Sequence, residues 1–287
     1  VRFEPRSPDV DVNIEQGGHL IELGKLGVGL GLAVGGALLV LFFLVDLVIA
    51  LLPPETESRL FANWQAPVEE AATVDAARLE MARALLQSLA GHWQEAPYAF
   101  RLGVIDDADP NAFAFPGGTI MVTRGLLEEV ETENELAFVL GHELGHFAGR
   151  DHLRGMGRGA AFGLVLAAVG GGSSGDLAVS LGTMTLLGFG REQESQADAF
   201  GLDLVAAEYG HAAAATRFFE RMMARTDAGR SMTGAWLATH PLSSERIAEL
   251  GALADARGIP LDGDLRVLDP NGDSVLEDER QMDPSAP

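Results

Sequence analysis

Leu26 to Leu52 is an apolar run in which Asp46 is the single charge, and no other feature limits the fold of this chain so strongly. As a helix rising about 1.5 Å per residue the run measures roughly 40 Å, enough to cross a hydrocarbon core of about 30 Å with some tilt. A secretory signal is the competing reading. It fits poorly, because the run is long, a further 25 residues precede it, and Pro53-Pro54-Glu55 is not a small-x-small cleavage site. The expectation is an uncleaved membrane helix over 26–52, with 1–25 as a juxtamembrane segment. Arg2, Arg6 and Lys25 precede the span and Arg59 alone follows it closely, which favours a cytoplasmic N-terminus and an exported C-terminal part. Within the span Asp46 lies about 9 Å from the exit, where a carboxylate can snorkel to the interface. Gly27, Gly31 and Gly35 form a small-xxx-small ladder, although a run so rich in glycine produces one by chance.

Composition then removes several chemistries. The 287 residues contain no cysteine, so disulfides, thiolate zinc sites and iron–sulfur ligation are all excluded, and any metal must be held by His, Asp or Glu. A net charge of −22 repels a phosphate backbone and argues against nucleic-acid binding.

After the span the patterning reads as mainly α with a small β-sheet, an α+β domain over 53–260. Leu79, Ala82, Leu85, Leu86 and Leu89 give Val74 to Trp93 a helical stripe. Phe100–Ile105 and Ala112–Val122 read as short strands, broken by Asp106-Asp107 and Pro116-Gly117-Gly118. Thr132-Glu133-Asn134-Glu135 is a capping box opening a helix expected to run through Arg154. Further helices are expected at 159–170, 177–188, 192–209, 211–226 and 243–256. Residues 261–287, rich in Asp and Pro, read as a poorly ordered acidic tail, in which Asp269-Pro-Asn-Gly-Asp273 is only a faint match to a calcium loop.

The informative residues are Gly141-His142-Glu143-Leu144-Gly145-His146. Residues four apart share a helix face, so His142 and His146 can put two imidazole nitrogens on one zinc ion, and Glu143 beside them can act on a water as base. The flanking glycines read as room for substrate. The third ligand has two candidates. Gly149 and His152 satisfy the metzincin continuation, while Glu194, in Arg191-Glu-Gln-Glu-Ser-Gln-Ala-Asp198, shares a helix face with Asp198, which could fix the tautomer of a ligand histidine.

Together these residues resemble the membrane-associated HExxH gluzincin metallopeptidases, the family of the HtpX, BepA, Oma-type and CAAX prenyl proteases. The resemblance covers roughly 75–255 and includes Asn111-Ala-Phe-Ala-Phe-Pro-Gly-Gly ahead of the zinc helix and His240-Pro-Leu-Ser-Ser-Glu-Arg246 after it. It implies a zincin-like domain, which together with the span and its flanking charges is expected in a bacterial inner membrane with the catalytic domain periplasmic or extracytoplasmic. One Zn2+ per chain would be held by His142, His146 and Glu194, with Glu143 as base and with His240 and Arg246 assisting substrate or oxyanion binding. A single span departs from the multi-span members and makes prenyl-protein processing improbable.

The expected function is hydrolysis of unfolded, misassembled or membrane-associated polypeptides. Asn111, Ala112, Phe113 and Ala114 would bind extended substrate along an edge strand. The alternative is a membrane-tethered chaperone or assembly factor with a structural or vestigial zinc site. Besides polypeptides the expected partners are the lipid bilayer and a second copy of the chain. Gly159–Gly190, broken by Gly170-Gly-Gly-Ser-Ser-Gly-Asp176, reads as core packing or as a helical hairpin that dips towards the membrane and limits access to zinc.

Overall fold

The computed structural model describes residues 19–61, 74–170, 190–227, 239–240, 243–268 and 276–278. The apolar run forms α1 (His19–Leu51), of which Leu20–Leu51 is long and apolar enough to cross a membrane and is exposed along most of its surface. Pro53 ends it. Pro54, whose missing amide costs nothing in a first turn, opens the short α2 (Pro54–Leu60). An added Cβ at Gly27, Gly31 or Gly35 would meet nothing within 4 Å, so the glycine ladder packs on no described element.

The domain begins at α3 (Ala76–His92), where the Asp75 carboxylate accepts from the amides of Ala77 and Arg78 at 2.8 and 3.2 Å. Next come β1 (Arg101–Ile105), β2 (Ala112–Phe115) and β3 (Thr119–Thr123). The sheet order is β1-β3-β2, with β1 parallel and β2 antiparallel to the wholly buried β3. The Pro116-Gly117-Gly118 break is a turn in which both glycines have positive φ, where a Cβ would be strained. A short helix, α4 (Arg124–Glu129), leads to α5 (Glu133–Gly149).

α5 is the axis of the fold. Every residue from Asn134 to Phe147 is buried, as suits a helix whose Leu136–Leu140 run is apolar on all sides. Thr132 Oγ1 caps the Glu135 amide at 3.2 Å, but the Glu135 carboxylate reaches the Glu131 amide rather than that of Thr132, and it pairs with Arg221. The helix stops short of the expected Arg154. Arg150 takes a left-handed conformation with φ 55°, and α6 (Asp151–Gly170) starts in a new direction. α6 runs beside α1, so the described part of the stretch read as core packing or as a hairpin dipping towards the membrane lies against the apolar helix.

α7 (Arg191–Tyr209) crosses α5 at close range. The glycines around the HExxH motif serve this crossing and not a substrate, which corrects the sequence reading. A Cβ at Gly145 would lie 2.6 Å from the Ala197 Cα, and one at Gly141 would lie 3.1 Å from the Gly201 Cα. The helix expected from 211 begins at Arg217 as α8 (Arg217–Asp227), because 211–216 forms turns with Ala214 at φ 60°. α9 (Ser244–Arg257), capped by Ser243, follows.

The boundary at 260 also needs moving. β4 (Asp264–Arg266) pairs antiparallel with β5 (Leu276–Asp278), Val267 bridges to Thr132, and Leu265 and Leu268 are buried. Their apolar side chains hold residues 264–268 on the domain, though an acidic neighbourhood disguises them. The expected helix at 177–188, the break after Gly170 and the calcium-like loop at 269–273 lie outside the described residues.

Candidate metal centre

Two turns of α5 present His142 and His146 on one face, with their Nε2 atoms 3.1 Å apart. The close crossing of α7 brings Glu194 in: Oε1 is 3.4 Å from His146 Nε2 and Oε2 is 3.6 Å from His142 Nε2. His240 adds its Nδ1, 3.2 Å from His142 Nε2 and 3.1 Å from Glu194 Oε1. One ligand atom from each of these four buried residues falls within 4.8 Å of the others. Two atoms bound tetrahedrally at about 2.0–2.1 Å to one zinc ion are about 3.3 Å apart, so the donors are spaced for an ion of that kind.

The surrounding carboxylates fix the imidazoles. His142 Nδ1 faces Asp198 Oδ1 at 2.8 Å and His146 Nδ1 faces Asp151 Oδ2 at 3.1 Å. A carboxylate can only accept, so each Nδ1 donates and the neutral ring turns a lone pair of Nε2 towards the centre. Two lone pairs 3.1 Å apart repel unless a cation lies between them. The same demand shows at His146, where burial alone would lower the pKa but Asp151, Glu194 and Glu143 outweigh it and raise it to about 9. Burial holds His142 and His240 below the ordinary imidazole value. It would raise Glu194, yet contacts with His146 and His240 keep that carboxylate far below its usual range. The centre therefore draws positive charge, and the donor set fits a divalent metal.

Glu143 is fully buried beside the cluster, its Oε1 3.4 Å from His240 Nε2. Burial raises its pKa against the pull of His146 and His142, and the Ala114 amide on β2 faces its carboxylate. Among the described strands β2 is an edge, with Ala112 and Ala114 buried and Phe113 half-buried. Asn111 is tied by its own backbone to Thr123, donating to Oγ1 at 2.8 Å. Of these four residues, Ala114 is thereby placed beside Glu143.

Other expected residues land elsewhere. His152, the rival third ligand, hydrogen-bonds Glu57 at 2.8 Å and takes no part in the cluster. Arg246 stands behind the centre: Nε and Nη2 donate to the two oxygens of Asp198 at 2.6 and 2.7 Å, and Nη1 pairs with Glu194. Its guanidinium positions two carboxylates, where the resemblance implied a part in substrate or oxyanion binding.

Three contributors escaped the sequence reading. Asp151 orients His146, and Gln193 Nε2 donates to Asp151 Oδ1 at 2.5 Å, tying the start of α7 to the start of α6. On an unbroken helix Asp151 would face away from His146, and only the left-handed Arg150 swings it back. Glu57, completely buried, accepts from Tyr98 Oη at 2.6 Å, Arg150 Nη2 at 3.2 Å and the Gly117 amide at 3.2 Å. A carboxylate just past an apolar helix carries no pattern that would reveal this.

Residues 74–254 match peptidase family M48, the stretch that the motifs outline. The chain is 36% identical over 157 residues to the mitochondrial metalloendopeptidase OMA1 of Schizosaccharomyces pombe, covering 53% of this chain and 45% of that protein. It is 33% identical over 160 residues to the metalloprotease LoiP of Escherichia coli, with 53% and 61% covered, and 28% identical over 177 residues to the beta-barrel assembly-enhancing protease of the same species, with 56% and 36% covered. The chain thus spans less than two thirds of the length of each of these relatives. With its family profile matched across more than half of its length and its histidines and glutamate converging on one buried point, the chain belongs to peptidase family M48.

Proposed function

We propose that this protein is a membrane-anchored zinc metalloendopeptidase of the HExxH-plus-Glu type that cleaves unfolded or misassembled polypeptides. The observation that carries the reading is the convergence of His142, His146 and Glu194 with a buried Glu143 at its edge. Zinc bound there supplies Lewis acidity towards a water and the scissile carbonyl. Asp198 and Asp151 hold the two histidines in the tautomer that offers Nε2, and Arg246 keeps Asp198 and Glu194 in place. Glu143, its proton affinity raised by burial, takes the proton of the attacking water and returns it to the leaving amine. An extended substrate adds to the β2 edge over Asn111–Ala114 through main-chain bonds, which makes selectivity broad. The apolar helix supports an inner-membrane location with the catalytic domain periplasmic.

His240 favours a second reading. Its Nδ1 stands where a fourth ligand would close the centre, as in a structural site on a chaperone or assembly factor. In the enzyme reading the same contact makes a latent state, and His240 must withdraw to admit substrate. Hydrolysis of disordered casein by the full chain, with and without a chelator, separates the two. The enzyme reading expects chelator-sensitive cleavage, an increase in His240→Ala, and in Glu143→Gln a loss of about 100-fold or more with zinc retained. Unchanged turnover in Glu143→Gln would overturn the mechanism, and zinc-loaded protein inert in every form would leave the structural reading.

A further inference from the structure

The contact between α1 and α6 is antiparallel and can be followed turn by turn. Arg150 Nη1, just before α6, donates to the carbonyls of Ile49 and Leu52 at 2.7 and 2.5 Å. One turn on, Arg154 Nε lies 3.8 Å from Asp46. Gly157 then faces the Val45 side chain, and Arg158 Nη2 donates to Asp46 Oδ2 at 2.7 Å with its guanidinium over the Phe42 ring. Asp46 is thus paired across the helix contact, which corrects the snorkelling expected from the sequence. Each turn of α6 moves away from the metal centre and deeper along the apolar helix.

α6 does not stop at Arg158. It continues to Gly170, about 18 Å further at 1.5 Å per residue. The same length along α1 leads from Asp46 to Val34. On α1 a single stripe is partly or wholly covered, comprising Val34, Leu38, Leu41, Phe42, Val45, Asp46 and Ile49, whereas every residue from Leu20 to Ala33 is exposed. The covered stripe therefore ends level with the end of α6. Gly159 to Gly170 carries no charge, and Leu164 on it is 56% exposed.

Whatever packs along α1 between Asp46 and Val34 shares its depth in the bilayer. Resting on the reading of α1 as a membrane span, we propose that the Gly159–Gly170 half of α6 is embedded in the hydrocarbon core beside α1, with lipid acyl chains against it. The chemistry agrees at each level. A helix satisfies its own backbone in lipid, and small residues such as Gly157 permit the close approach. Asp46 and Arg158 neutralise each other, so neither charge enters the apolar zone alone. The described stretch beyond Arg158 is shorter than the roughly 20 residues of a full span. The helix leaving the HExxH helix is consequently held by lipid as well as by protein.

The absence of native cysteine makes the test direct. In the full chain reconstituted into phosphatidylcholine vesicles, a nitroxide at Leu164→Cys is compared with one at Leu39→Cys on α1 and one at Ala84→Cys on the exposed face of α3. Embedding expects the oxygen-to-nickel-complex collision ratio at 164 to equal that at 39 and to exceed that at 84 by roughly tenfold, since oxygen concentrates in hydrocarbon and the complex stays in water. A ratio at 164 equal to that at 84 overturns the proposal. The unmodified chain provides the second measurement: a lipid-phase diazirine should label 159–170 as well as 26–52, and labelling confined to 26–52 would sink the idea. Neither readout depends on peptidase activity.

Discussion

Two helix crossings in this molecule use the same components to opposite ends. Where α5 meets α7, and where α1 meets α6, a glycine lets two helices approach and a carboxylate lies in the contact. At the α1–α6 crossing the counter-charge is built in, since Arg158 neutralises Asp46. At the α5–α7 crossing the guanidinium of Arg246 pairs with Asp198 and Glu194 from behind, and the Nε2 atoms of His142 and His146 converge on one point beside Glu194. The first arrangement pairs its own charges, whereas the second gathers four donor groups that could hold an ion. A glycine at a helix crossing sets the distance, and the charges set whether the contact is a joint or a site.

The largest expected difference between the crossings comes from Gly145→Ala. The new Cβ would lie 2.6 Å from the Ala197 Cα and 2.7 Å from its carbonyl oxygen. Both are backbone atoms, so no side-chain rotation can relieve the overlap, and α7 must shift as a body. Overpacking of this kind costs about 1–3 kcal/mol, and the shift carries Glu194 away from the histidines. We expect a lower unfolding midpoint together with loss of most bound zinc in elemental analysis. Full zinc content with only a raised KM would instead revive the reading in which this glycine makes room for substrate.

That reading shows where the sequence stops being legible. Helical spacing was sufficient to put His142 with His146 and Glu194 with Asp198, because neighbours on one helix are fixed by its period. The apolar span, the strand breaks at Pro116-Gly117-Gly118 and the Thr132 cap were legible for the same local reason. Contacts between helices were not. Nothing in the period of α5 says that Gly145 meets Ala197, that Asp46 meets Arg158, or that His240 joins the ligands. Asp151 was hidden by one backbone angle, since the left-handed Arg150 cannot be read from a residue type that usually continues a helix.

Asp151 ranks second in expected effect. It holds His146 by Nδ1 and is itself held by Gln193, from the helix that supplies Glu194. Asp151→Asn keeps an acceptor but removes the charge that favours the lone pair at Nε2, and outer carboxylates of this kind are worth about 10–100-fold in metal affinity. Competition with a chromophoric chelator measures it. At the other crossing Asp46→Asn should leave zinc affinity within about twofold, because Asp46 touches none of the candidate ligands or the carboxylates that orient them. Equal losses in the two variants would mean that the crossings are one unit and not two.

Third comes Glu57, which joins the end of α1 to the domain. Burial would raise its pKa, but His152, Tyr98 and the Gly117 amide outweigh burial and lower it from 4.5 to about 2. A carboxyl depressed on folding stabilises above its unfolded pKa, and that stability is lost as pH falls through the folded one. The shift corresponds to roughly 3 kcal/mol, present in full above about pH 5 and fading towards pH 2. In micelles Glu57→Gln should lower the unfolding free energy near neutrality, and the gap from the unaltered chain should close on acidification. A gap independent of pH would show that shape rather than charge holds this junction.

The smallest effect is expected at Gly157→Ala, although its Cβ would come just as close to a neighbour, 2.6 Å, as at Gly145. The difference lies in what it meets. At Gly157 the neighbour is a terminal methyl, Cγ1 of Val45, with the Val45 Cβ at 3.6 Å. Turning Val45 off its preferred rotamer costs about 0.5–1.5 kcal/mol, while replacing glycine by alanine inside a helix returns about 1 kcal/mol. The two nearly cancel, and no ligand-bearing residue lies on α1 to be displaced. Zinc content should stay at one ion per chain and the thermal midpoint should move by no more than a few degrees. If Gly157→Ala instead lost zinc as Gly145→Ala is expected to, displacement of α6 would be reaching His146 through Asp151, and the α1–α6 contact would have to be counted as part of the metal centre.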